Sequence, residues 1–120
     1  MLAEIRAEAG NTLLAPLADA VEEVAHWMLQ ASTDDRLAGS YPLLTMTAVL
    51  TAGSLMKKQG EVAARMLAAG EGDPAFLHMK VAASDYFTRV IVAEALGLKA
   101  SALNGAALLY ELPEQAFTAA

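Results

Sequence analysis

The chain has 120 residues, a net charge of −6 and no cysteine. That length suits one domain burying roughly two thirds of its unfolded surface, and the missing thiols exclude disulfides and thiolate metal sites. The eight Lys and Arg are scattered among 14 Asp and Glu, which argues against a nucleic-acid partner, and the lack of cysteine suits a reducing cytoplasm.

Alanine makes up about a fifth of the residues, and the strand formers are sparse and unalternated, so the expected class is all-α. The start, Met1-Leu2-Ala3-Glu4-Ile5-Arg6, has neither the basic flank nor the apolar block of a signal peptide. In the first helical stretch Leu14, Leu17, Val21, Val24 and Met28 alternate spacings of three and four, forming one seam. The spacing predicts a helix over about 12–31, capped by Asn11 or Thr12, with Pro16 tolerable near its start.

Ser32-Thr33-Asp34-Asp35 supplies the caps and early acidic charge of a second helix, predicted over about 35–69. Leu37, Tyr41, Leu44, Ala48, Leu55, Val62 and Met66 follow one helical face, read as its core side. Pro42 predicts a kink or break, and Gly53 and Gly60 fit places where another backbone comes close. Leu37 to Met56 carries no charge and has about the length of a bilayer span. Its glycines, hydroxyl residues and proline, and the want of a basic flank, favour a buried helix over a membrane helix.

The most punctuated segment is Ala69-Gly70-Glu71-Gly72-Asp73-Pro74. Gly70 suits a left-handed helix end, Asp73 a side-chain cap and Pro74 the first residue of the next helix. A third helix is predicted over about 74–109, with Leu77, Val81, Ser84, Ile91, Ala95, Leu98 and Ala102 on one face and a bend or end near Gly97 or Gly105. Leu112-Pro113-Glu114-Gln115 reads as a turn or one-turn helix. The expected architecture is an up-down bundle of three long helices crossing at about 20°.

Three seams do not use up the apolar residues. Leu43, Met46, Val49, Leu50, Met56, Tyr86, Phe87, Val90, Val92, Leu96, Leu103 and Leu108 remain, too many for a solvated face, so association with another domain or a symmetry mate is expected.

Residues with chemical potential are isolated. His26 and His78 belong to no spaced histidine pair and have no cysteine or carboxylate cluster around them, so surface histidines are favoured over a metal site. His78 also lacks the His-x-Leu-Lys-Gly arrangement of phosphotransfer bundles. Gly70-Glu71-Gly72-Asp73 follows a helix and carries two acids, unlike a phosphate loop. Ser84 and Asp85 are neighbours on a helix and point apart, with no histidine placed to complete a triad. No catalytic, cofactor-binding or metal-ligating residue is assigned.

Ala38-Gly39-Ser40-Tyr41-Pro42-Leu43-Leu44, the joint from Leu67 to Leu77, Met79 to Phe87, and Leu109 to Phe117 together resemble the extra C-terminal domain of the large bacterial acyl-CoA dehydrogenases, in the 3-methylmercaptopropionyl-CoA dehydrogenase-like branch. The resemblance runs from about Leu13 to Phe117. The chain departs from it where the family shows Ala-Thr-Pro-Tyr-Leu and this sequence has Gly39-Ser40-Tyr41-Pro42-Leu43, where the family carries an aromatic residue near Gly53 and Ser54, and where an Ala-Arg-Phe-Tyr run is replaced by Ser84-Asp85-Tyr86-Phe87.

The resemblance implies a C-terminal fragment of a longer, cytoplasmic flavoprotein of fatty acid metabolism. Such enzymes carry out FAD-dependent α,β-dehydrogenation of an acyl-CoA, with the base and flavin contacts in the preceding catalytic body. This chain would then be an inactive helical appendage packing on that body or on the dimer mate. The alternative is a free-standing, dimeric helical interaction module.

Overall fold

The computed structural model of the chain describes residues 1–118. Six α-helices follow in order: α1 (Leu2–Glu8), α2 (Leu14–Gln30), α3 (Thr33–Ala69), α4 (Pro74–Tyr86), α5 (Val92–Leu96) and α6 (Leu98–Leu103). A π-helical turn, Phe87–Ile91, joins α4 to α5, and 3-10 turns cover Ala107–Tyr110 and Glu114–Phe117. The described residues contain no strand.

The predicted third helix is corrected to an interrupted run. It is continuous from Pro74 only in the broad sense, passing through the π turn, breaking at Gly97 and ending at Leu103 rather than near 109. Thr88 Oγ1 donates to the Ser84 carbonyl at 2.9 Å inside this irregular stretch, the kind of back-bonding that loosens a helical ladder. The expected count of three helices is also corrected, because α1 adds a fourth helical run.

Helix α1 is seven residues long, too short to be stable alone. It is held by burial of Ile5 and Ala9 and by Arg6, whose guanidinium donates to Asp19 at 2.8 Å and Glu22 at 2.6 Å on α2. The N-cap position is taken by Leu13 and not by the expected Asn11 or Thr12; Thr12 accepts from the Leu14 N–H at 3.3 Å just before it, and Pro16 falls in the first turn, where no intrahelical bond is lost.

Helix α3 shows no break at Pro42, which lies buried within one continuous 37-residue helix. The ring removes one backbone donor, and the helix continues on both sides of it. Its ends follow the sequence signals: Ser32 accepts from the Asp35 N–H, and Gly70 closes it at φ 71°. Asp73 accepts from the Ala75 N–H at 3.1 Å, with Pro74 opening α4.

Glycines on α3 set the packing. A Cβ at Gly60 would lie 2.4 Å from Ser84 Oγ, one at Gly53 would lie 2.8 Å from Leu14 Cδ2 and 3.1 Å from Val92, and one at Gly39 would lie 2.7 Å from the Ala102 carbonyl oxygen. The contacts climb α3 as they descend α2 and the run after Pro74, so both neighbours lie antiparallel to it. Leu14, Leu17, Val24, Met46, Leu50 and Val92 fill the space between them and are fully buried.

An uncovered apolar surface as the candidate functional site

The faces of α3 are the reverse of those expected from its sequence. The side read as core is exposed, with Tyr41 at 75 % and Leu44 at 68 %, and Leu37, Leu55 and Val62 likewise in solvent. The buried side carries Gly39, Pro42, Met46, Leu50, Gly53, Gly60 and Ala63. Close approach decides this: three glycines let α2, α4 and α6 come near, and the larger residues are left on the outside. Of the apolar surplus, Met46, Leu50 and Val92 are core, and Leu43, Val49, Phe87, Leu96 and Leu103 pack against it. Tyr86, Val90 and Leu108 are exposed.

Beside the outer stripe, α3 and α4 enclose an open groove of ≈ 490 Å³ lined by Leu55, Val62, Met66, Phe76 and Leu77, with Lys58 and Lys80 at its edge. The Lys80 amine lies 5.5 Å from the centre of the Phe76 ring, within cation–π range. A second uncovered apolar patch is formed by Leu109, Tyr110, Leu112 and Phe117 near the C-terminus. This end is tied down through Asp35, whose carboxylate accepts from the Ala106 N–H at 2.8 Å. Sequence reasoning gave Asp35 only a capping role; its partner is 71 residues away and left no local signal.

The residues weighed for chemistry stay apart from one another. His26 and His78 are exposed, and Asp85 faces solvent while Ser84 is buried against Gly60. Among the described residues, no three His, Cys, Asp or Glu side chains gather where a metal could be held. Among the same described residues, no helix is long and apolar enough to cross a membrane. Two cations are perturbed, both on the α1 side: the carboxylates of Asp19 and Glu22 raise Arg6, and the hydrogen bond to Glu8 raises Lys58.

A small all-helical domain, with its chemistry-bearing side chains dispersed and an apolar face left open, is the class that fold and surface define. A family model described as "Acetyl-CoA dehydrogenase C-terminal like" matches residues 2–113, and the chain belongs to that family. No curated protein and no solved structure matches it.

The family implies FAD in the enzymes that carry this domain, and the starts of α3 and α4 do not fit its pyrophosphate. An open helix N-terminus free of acids favours a pyrophosphate. The first turns of α3 and α4 instead have donors taken by Ser32 and Asp73, with Asp34 and Asp35 beside the former.

Proposed function

We propose that this chain is the C-terminal accessory domain of an FAD-dependent acyl-CoA dehydrogenase, packing on the catalytic body or on the dimer mate. In the full-length flavoprotein, which we place in cytoplasmic fatty acid metabolism, a carboxylate base of the body removes the α-proton of the acyl-CoA thioester while hydride leaves the β-carbon for the flavin. The chain itself contributes surface and no catalytic group. The observation that carries the reading is the family match over residues 2–113 on a domain whose large apolar residues line an open face. The 3-methylmercaptopropionyl-CoA dehydrogenase-like branch is the finer assignment that the segment order supports.

The test is an acyl-CoA oxidation assay with an artificial electron acceptor. The purified chain alone is expected to be inactive with or without added FAD. A full-length enzyme lacking this domain is expected to lose activity or assembly, with recovery when the chain is added back. Flavin-dependent turnover by the chain alone, or full activity and unchanged assembly without the domain, contradicts the proposal.

A further inference from the structure

The outer face of α3 has an internal symmetry. Positions 34, 37, 41, 44, 48, 51, 55, 58, 62 and 65 alternate spacings of three and four, the two-per-heptad pattern of a coiled-coil seam, and all ten are exposed. Read from both ends they form complementary pairs: Asp34 with Arg65, Leu37 with Val62, Tyr41 with Lys58, Leu44 with Leu55, and Ala48 with Thr51. We propose that α3 pairs with α3 of a second copy of this chain, antiparallel, about a two-fold axis between Ala48 and Thr51. This takes up the dimer-mate option of the preceding reading and rests on its claim that the open face is an interface, not on the dehydrogenase chemistry.

Charge chooses the direction. A parallel pair would set Asp34, Lys58 and Arg65 each against its own copy. The antiparallel pair sets Asp34 against Arg65 at both ends and lays the Lys58 stem along the Tyr41 ring twice, while the Lys58 amine stays with Glu8 of its own chain. The small Ala48 and Thr51 at the centre let the two backbones approach.

Shape agrees. The stripe runs about 47 Å along the helix at 1.5 Å per residue. The groove lined by Leu55, Val62, Met66 and Phe76 borders its C-terminal half, where Leu37 and Tyr41 of the second copy would fall. The area is also sufficient. The chain exposes 7628 Å², about 1,400 Å² more than a compact chain of its mass, and a standard interface takes roughly 800 Å² from each partner.

The chain has no cysteine, so introduced thiols report the register directly. A48C mixed with T51C under mild oxidation is expected to give the mixed disulfide as the main product, well above A48C with itself or L37C with T51C. In sedimentation the chain should be a dimer. L44D should weaken it by about 100-fold at unchanged helix content, because Leu44 contacts solvent in the single chain. D34R should weaken the dimer by about tenfold, and D34R/R65D should restore it. A monomer in sedimentation, a dimer indifferent to L44D, or A48C self-linking equal to A48C–T51C linking would each overturn the proposal. No arm contains the dehydrogenase body, so failure of this seam leaves the accessory-domain reading standing, and failure of that reading leaves the seam measurable.

Discussion

Gly60 is where one residue most directly sets the geometry of the domain. An added methyl would sit 2.4 Å from Ser84 Oγ and 2.5 Å from its Cβ, too close for either helix to stay in place. In an exposed helix interior Gly60→Ala would gain about 1 kcal/mol from propensity. Here overpacking should outweigh that gain, and urea unfolding is expected to show a net loss of about 1–2 kcal/mol. Gly60→Ala combined with Ser84→Gly should recover most of it, because the clash is with that side chain. Asp35 matters in a different way. Asp35→Ala strands the Ala106 N–H in a nearly buried position, at a cost of about 1–3 kcal/mol. Amide exchange should accelerate from Gly105 to Tyr110 and remain slow in the centre of α3. Equal acceleration throughout would show that Asp35 supports the whole fold instead of anchoring one end.

Among the elements, α1 has the least intrinsic support and depends on charge. Lys58 donates to Glu8 at 2.9 Å, and this bond raises the lysine above its ordinary value of 10.5. A raised lysine contributes stability that is complete below the unfolded value and is lost as pH rises through the folded one. The stability difference between the wild-type chain and Glu8→Gln should therefore be full at pH 9 and shrink as pH rises above 10.5 through the titration of the folded lysine. A difference that persists unchanged would mean the pair does not hold α1.

Element by element, legibility followed locality. The joint from Gly70 to Pro74 was fully readable, since its caps act within a few residues, and α2 and the ends of α3 were readable for the same reason. Helix α1 was not, because seven residues carry too little periodicity and its stability comes from Asp19, Glu22 and Lys58. The inner face of α3 was misread because apolar size was taken as the mark of a core. The packing instead selects Gly39, Gly53 and Gly60, and Leu37, Tyr41 and Leu44 are left outside. The expectation of surplus apolar surface held, at Tyr86, Val90 and Leu108 of the expected set and otherwise on different residues.

At the scale of the molecule, the chain is a thin slab. Its radius of gyration is 19.2 Å, against about 14 Å for a compact chain of this length, and its dimensions are 67 × 35 × 17 Å. Leu37, Tyr41, Leu44, Leu55 and Val62 lie exposed along the outside of α3, so that helix is covered on one side only. Such a slab gains stability from whatever completes its core, by about 2.7 kcal/mol at a hundredfold excess of partner over Kd. The measurement that tests the accessory-domain account most directly is co-purification of this chain with a separately expressed dehydrogenase body lacking its C-terminal domain, with light scattering to give the mass of the product. The account predicts a stable complex containing both polypeptides. Body and chain eluting separately, with the chain unchanged in mass, would contradict it.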